Sequence, residues 1–348
     1  MKRFHRILTA AVALMLLAAA CCAAQAESLS FKNVKQALQY IQDNQPEELT
    51  LENVKFKPSE LLTLKNAMPE GAVFHFTTKW GAVTFSDDVE DLDLKSRKAT
   101  ITGEDLDAIV QICPGIKRID NSNHSSPSNK VMIPLIEKYP EVQFEWKVSL
   151  GKGHYVSTTQ TAYSTFNEIG SGKQLTAENL EVLKYCYRLQ ALDLGHNVIR
   201  NLDFLQYLPD LELLIIGQNY VKDLTPLGNL KHLQYAELFL NYYTDISPLA
   251  NCTELLDLNM TATPITDLTP LDNITTLERL VVNMCRKLPQ EQVDHFQELH
   301  PNCEVDYRIS HSATNTYKPW RKHPRYKHYI WCLKHGTWIP FDQEIPSK

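Results

Sequence analysis

Cysteine is scarce in this chain of 348 residues, which contains eight. A small secreted scaffold stapled by disulfides would have them at much higher density. We therefore expect the six cysteines after residue 26 to be buried thiols. A disulfide bridge between Cys285 and Cys303 is the alternative that the sequence leaves open. These six are Cys113, Cys186, Cys252, Cys285, Cys303 and Cys332.

Sequence patterns typical of enzymes are also missing. The chain has no glycine-rich phosphate loop, no G-x-S-x-G segment and no pair of histidines along one helix face. No histidine stands in a recognisable arrangement with a cysteine. We therefore expect a protein without catalytic activity and without a cofactor.

Metal-binding spacings are missing as well. The acidic run over residues 87–93 lacks the oxygen pattern of a calcium loop and is expected to be a solvated face. Histidines and a cysteine near the C-terminus have the chemistry of zinc ligands, but their spacing matches no zinc pattern. They are His323, His328, Cys332 and His335. We expect no metal site.

No stretch after residue 26 is apolar enough to span a membrane. The first 26 residues have the three parts of a secretory signal peptide: basic residues, an apolar stretch over 7–20, and the triplet Ala24-Gln25-Ala26. Export, to the cell surface or the medium, is therefore predicted. Cys21 leaves a second option, acylation and anchoring. Free secretion is favoured because Ala18 replaces the large aliphatic residue usual before such a cysteine.

Charge divides the chain into an acidic body and a basic tail. Residues 27–307 have 24 lysines and arginines against 39 acids, whereas residues 308–348 have eight against two. An acidic body disfavours nucleic acid as a partner. The tail either touches an anionic surface or lies on its own acidic body.

Apolar residues recur every 22 positions from Leu189 onward, in the pattern L-x-x-L-x-L-x-x-N. Four copies follow one another, and a fifth departs from the pattern after Cys285. The L-x-L piece predicts a short strand with its leucines inward. Asn197, Asn219 and Asn241 are expected to bond to backbone groups where the chain turns away.

This pattern resembles the leucine-rich repeat, in particular the 22-residue internalin-type repeats of bacterial surface proteins. The resemblance implies an α/β solenoid, curved, with short parallel strands on a concave face. Pro226, Pro248 and Pro270, in copies two to four, favour 3₁₀ or extended structure on the other side. Leucine-rich-repeat proteins are typically binding proteins, so a protein partner is expected, but the resemblance names no ligand.

Longer, irregular repeats precede the regular ones. Helices are expected near Leu61/Leu64, Leu106/Ile109 and Leu180/Leu183, and residues 30–43 read as the helix of an N-terminal cap. The predicted organisation is a signal peptide (1–26), an N-terminal cap (27–80), irregular repeats (81–188), regular repeats with a C-terminal cap (189–307) and a basic aromatic tail (308–348). The polar stretches 121–130 and 151–173 are expected to be loops.

The outward residues of the strands are the candidate binding site. Leu213, Ile215, Tyr235 and Phe239 should face solvent, where an apolar patch usually marks an interaction surface. The alternative is that a loop or the tail covers them. The site on this concave face comprises Leu213, Ile215, Tyr235, Glu237, Phe239, Asp257 and Arg279.

The tail offers the alternative site. Its mixture of aromatic and basic residues suits a cell-wall polymer or glycan, although it also suits docking on the acidic body. The pattern of residues 329–339 predicts a β-hairpin with Gly336 in the turn. The residues of this site are Trp320, Arg321, Arg325, Tyr326 and Trp331. We expect the protein to be a monomer.

Overall fold

The computed structural model describes residues 29–123, 126–165, 172–308 and 320–346. The predicted signal peptide and Cys21 lie outside these ranges. The chain forms two compact units, one containing residues up to Asp120 with Leu135–Gln143, the other Asn121–Pro134 with Phe144 onward. None of the helices in the described ranges has the length and apolar character needed to cross a bilayer.

The first unit begins with the expected N-terminal helix. Asn33 caps it, because its side chain accepts a hydrogen bond from the Gln36 backbone N–H at 3.0 Å. The elements are α1 (Val34–Asn44), β1 (Glu48–Val54), α2 (Pro58–Ala67), β2 (Val73–Trp80), β3 (Val83–Ser86), β4 (Asp91–Asp93), α3 (Gly103–Ile112) and β5 (Arg118–Asp120). Strands β1 and β2 pair in parallel, and β2 and β3 pair antiparallel.

Two of the three helices predicted for the irregular repeats are α-helices in this unit. Leu61 and Leu64 of α2 are completely buried, as is Leu106 of α3. Thr102 caps α3 by accepting from the Asp105 backbone N–H at 3.1 Å. The third, Ala177–Tyr185 in the second unit, is a 3₁₀ helix, although its leucines are buried as predicted.

The second unit is built on a seven-stranded parallel sheet, whose strands follow one another in chain order from Ala162–Ser164 to Glu304–Asp306. Two elements, α4 (Asn129–Lys138) and β6 (Gln143–Glu145), contain residues of both units. The remaining strands are β7 (Lys147–Gly151), β8 (His154–Ser157), β9 (Ala162–Ser164), β10 (Ala191–Asp193), β11 (Leu213–Ile215), β12 (Tyr235–Glu237), β13 (Asp257–Asn259), β14 (Arg279–Val281) and β15 (Glu304–Asp306). The helices are α5 (Gln290–Leu299) and α6 (Pro324–His335).

Residues that lie 22 positions apart in the sequence pair on neighbouring strands. Ala191 pairs with Leu213, which pairs with Tyr235, and the same column continues through Asp257 to Arg279. Each step is 22 residues, so the copies identified in the sequence stack in register. The prolines of the connections lie in short 3₁₀ helices, at Thr225–Asn229, Ser247–Asn251 and Thr269–Leu271. The second unit is therefore an α/β leucine-rich-repeat solenoid, as expected.

The repeat asparagines join neighbouring copies. The Asn219 side chain donates to the carbonyl oxygens of Leu194 and Ile216, both at 3.0 Å, and accepts from the Ile199 backbone N–H at 3.0 Å. Asn241 repeats this pattern one copy later. These bonds satisfy buried backbone groups at the turn, as predicted.

One polar stretch is more ordered than expected. Residues 151–173 contain the strands β8 and β9, although the sequence there reads as a loop. Strand β8 forms a hairpin with β7, and β9 extends the repeat sheet beside β10. The polar composition of residues 151–173 does not indicate a loop, because Ser157 and Thr158 are buried and hydrogen-bonded within the unit.

Candidate functional site

The tail is helical where a hairpin was expected. Helix α6 begins after His323, with Pro324 at its first position, and ends at Gly336 in the left-handed conformation, φ 68°. Proline at the first position and glycine after the last are the usual limits of a helix. A side chain at position 336 would also clash with Gln160, because its Cβ would overlap the Nε2 atom of Gln160.

This tail covers the concave face, the outward surface of the repeat strands. The expectation that Leu213, Ile215, Tyr235 and Phe239 face solvent is wrong, since their exposed fractions are 0, 7, 0 and 6%. Three of these residues belong to an apolar cluster shared with the tail residues Trp320, Tyr329, Cys332 and Trp338. Covering an apolar patch of this kind removes it from water.

Tyr235 lies at the centre of the aromatic contacts. Its ring centroid is 4.9 Å from that of Tyr329, 5.4 Å from that of Trp320 and 6.1 Å from that of Phe341. All three pairs are tilted, an arrangement that aromatic quadrupoles favour. Strand β12 therefore contacts both α6 and the segment that follows it.

Glu237 adds a polar contact inside this apolar cluster. Its Oε1 atom accepts hydrogen bonds from the hydroxyl of Tyr235 at 2.6 Å, the indole N–H of Trp320 at 2.9 Å and the hydroxyl of Tyr329 at 3.0 Å. Burial raises the pKa of both tyrosines well above the ordinary value, so their hydroxyls remain protonated donors. Two of the three donors come from the tail.

A group of ionic side chains links the next two strands, β13 and β14, to the tail. The carboxylate of Asp257, fully buried, accepts from Arg279 Nε at 2.6 Å and from Arg325 of α6 at 2.8 Å. Arg325 also pairs with Glu278. The Arg279 guanidinium lies 4.4 Å from the ring centroid of Trp320. The acidic body and the basic tail thus neutralise one another at this point.

The segment after α6 is fixed to the other end of the sheet. The Gly336 carbonyl oxygen accepts from the backbone N–H groups of Thr161 and Ala162, at 3.2 and 3.3 Å. The Trp338 backbone N–H donates to the Thr161 hydroxyl at 2.7 Å. The tail therefore contacts the sheet from β9 to β14.

Asp193 on β10 is a buried acid under the tail. It accepts from the Ser164 hydroxyl at 2.7 Å and the Gly195 backbone N–H at 3.0 Å. Burial, which outweighs these two bonds, raises its pKa to about 6. A cavity of about 40 Å³ lies between Asp193, Glu237 and α6, which is too small for an organic ligand.

The five tail residues of the alternative site do not share one surface. Trp320 is buried on the concave face, and Arg325 is engaged by Asp257 and Glu278. Arg321 is exposed, whereas Tyr326 and Trp331 are half-buried. Docking on the body has therefore separated the residues that the sequence placed together.

The cysteines are buried thiols, as predicted. All six are free, including Cys285 and Cys303, so the alternative of a disulfide between these two is not formed. Burial is the main cause that raises the pKa to about 12 for Cys113, Cys186, Cys252 and Cys303. Within the described ranges, no group of three or more histidine, cysteine or acidic side chains is arranged to hold a metal ion.

Neither a family model nor a curated protein matches this chain. Among solved structures it is similar to internalin C2 of Listeria monocytogenes (17% identity, TM-score 0.36, 60% of this chain and 84% of that one) and to the internalin InlF of the same species (14%, 0.35, 80% and 94%). A leucine-rich-repeat protein of Leptospira interrogans is similar at 16% identity, with a TM-score of 0.34 over 74% of this chain and 71% of that one. Because these identities and TM-scores are low, the assignment of the fold rests on the strand register alone.

Proposed function

We propose that this leucine-rich-repeat protein is a non-catalytic binding protein, exported from the cell, that recognises a protein partner through its concave face. The observation that carries the proposal is that this face already binds polypeptide, its own tail. Tryptophan, tyrosine and arginine supply the contacts, and these residues dominate the energetics of protein–protein interfaces. The face comprises Leu213, Ile215, Tyr235, Glu237, Phe239, Asp257 and Arg279.

In this proposal the tail acts as an internal competitor. A partner gains access to Tyr235 and Glu237 only when α6 leaves them. Its apparent affinity is therefore its intrinsic affinity multiplied by the fraction of molecules in which the tail is undocked. Variants that loosen the tail should bind the partner more tightly than the unchanged protein.

A labelled synthetic peptide of residues 320–346 tests this proposal without a known partner. The full-length double variant Trp320→Ala, Arg325→Ala loses two of the three tail side chains that hydrogen-bond to Glu237 and Asp257. It should bind the peptide, whereas the unchanged chain should bind it at least about ten-fold more weakly because its own tail competes. Fluorescence anisotropy measures both affinities.

The matched control changes exposed tail residues instead. The double variant Lys327→Ala, Lys334→Ala alters side chains outside the concave-face contacts, and it should behave as the unchanged protein. Hydrogen exchange over α6 shows whether the tail of the first variant is released. A released tail together with no peptide binding would contradict recognition by the concave face.

The alternative, binding of a cell-wall or glycan polymer by the tail, is less well supported. Trp320 and Arg325 belong to the docked contacts, so a polymer would meet all five proposed residues only after undocking. Loss of polymer binding on tail removal, with peptide binding unchanged, would favour this alternative.

Export is the second part of the proposal, and it rests on residues 1–26. N-terminal sequencing of protein from its native host should begin at Glu27. A diacylated Cys21 would show anchoring instead.

A further inference from the structure

Helix α6 also has a side with exposed basic residues, next to the side that packs on the sheet. Tyr329 and Cys332 are buried against the concave face, whereas His328 is buried against the segment that follows the helix. Lys327, Trp331, Lys334 and His335 follow the spacing i, i+4, i+7, i+8, which places them on one side of the helix. The two lysines and His335 are exposed, and Trp331 is half-buried because it packs in part against the apolar cluster of the concave face.

Neither these two lysines nor Lys322, which is exposed just before the helix, is neutralised by the body. Arg325, on the docked side, pairs with Asp257 and Glu278. In contrast, no carboxylate within the described ranges forms an ion pair with Lys322, Lys327 or Lys334. A tail that served only to cover an acidic body would gain from pairing its cations there. These three remain available for an anionic partner, in a chain that is acidic elsewhere.

Trp331 lies among these cations. Its ring stacks on that of His335, with centroids 4.1 Å apart and planes at 22°. Tryptophan flanked by lysines on a helix face is the composition that favours the boundary between phosphate headgroups and acyl chains.

We propose that the outer face of the tail, defined as Lys322, Lys327, Trp331 and Lys334, binds the surface of an anionic phospholipid bilayer while α6 stays docked. The lysines contact headgroup phosphates, and Trp331 lies at the interface. The acidic body does not prevent this contact, because its repulsion is screened beyond about 8–10 Å at ordinary salt. The inference goes beyond the proposed recognition of a protein and does not require undocking.

The test is co-sedimentation of the full chain with vesicles of phosphatidylglycerol and phosphatidylcholine, compared with phosphatidylcholine alone. The unchanged protein should sediment with the anionic vesicles only, and less as salt is added. The triple variant Lys322→Gln, Lys327→Gln, Lys334→Gln should bind about 100-fold more weakly, from roughly five-fold per cation. Trp331→Ala should weaken binding several-fold at unchanged charge.

The matched control is Lys184→Gln, Lys222→Gln, Lys287→Gln, which removes the same charge from exposed positions of the same unit. It should bind the vesicles as the unchanged protein does. Equal losses in the two triple variants would overturn the proposal, since net charge alone would then account for binding. Equal sedimentation with phosphatidylcholine, or binding to heparin without binding to vesicles, would overturn it as well. Thermal melting of each variant verifies that it is folded.

Discussion

The indole N–H of Trp320 donates a hydrogen bond at 2.9 Å to the carboxylate of Glu237, 83 positions earlier in the chain. Both residues are nearly inaccessible to solvent. A charged acceptor buried among aromatic rings is stable only when it is well satisfied. The concave face and the tail are therefore parts of one core, and each needs the other to bury its polar atoms.

Replacing Glu237 should show this dependence. Glu237→Ala leaves three buried donors without their acceptor and should lower the free energy of unfolding by about 2–4 kcal/mol. Glu237→Gln retains an acceptor oxygen and should cost about half as much or less. Denaturant titration measures both. Equal, small losses would mean that Trp320 and Tyr329 do not depend on this carboxylate.

The repeat core predicts a second effect. Leu238 is completely buried, so Leu238→Ala should cost about 2–5 kcal/mol of unfolding free energy. Leu240 is 39% exposed, and Leu240→Ala should change stability by about 0.5 kcal/mol or less. A loss below about 1 kcal/mol for Leu238→Ala in a denaturant titration would show that the repeat register is wrong.

The stability should depend on pH through Asp193. Its folded pKa of about 6 lies above the ordinary value of 3.8, so folding favours the protonated acid. This contribution is fully present below the ordinary pKa and is lost as the pH rises through about 6.

The variant Asp193→Asn isolates this contribution, because asparagine does not titrate. Between about pH 4 and pH 7, the unfolding free energy of the unchanged protein should fall relative to that of the variant by about 1–3 kcal/mol. Urea titrations at the two pH values measure the difference. A constant difference would place Asp193 in a more polar environment than the structure shows.

The buried thiols should be unreactive in the folded protein. With a pKa of about 12, Cys186 and Cys252 contain very little thiolate at neutral pH, and both are inaccessible. Iodoacetamide should label them only after denaturant is added, as mass spectrometry of tryptic peptides would show. Rapid labelling without denaturant would indicate that the repeats open locally.

The repeats could be predicted from the sequence because their signal is redundant. Each copy repeats an inward pair of apolar residues, and the polar residue at the turn is asparagine in the first three copies, so the pattern remains recognisable where one copy departs from it. Exposure of the concave face could not be predicted in the same way. Whether Tyr235 faces water depends on a segment more than 80 positions away, and no local pattern encodes that contact.

The tail helix did have a local signal that the hairpin interpretation missed. Tyr329, Ile330 and Trp331 have high β propensity, which favoured a strand. Pro324 and Gly336, twelve positions apart, are however the start and stop residues of a helix. Tertiary packing stabilises the helix, because a helix places Tyr329 and Cys332 on the side that contacts the sheet.

The central claim is that the tail occupies the concave face of its own chain. The most direct measurement is the nuclear Overhauser effect between the indole of Trp320 and the ring of Tyr235, whose centroids lie 5.4 Å apart, in full-length protein with the other aromatic residues deuterated. We expect a cross-peak that does not depend on protein concentration. Absence of the cross-peak, with an indole signal at the position of an unstructured peptide, would contradict the docked tail.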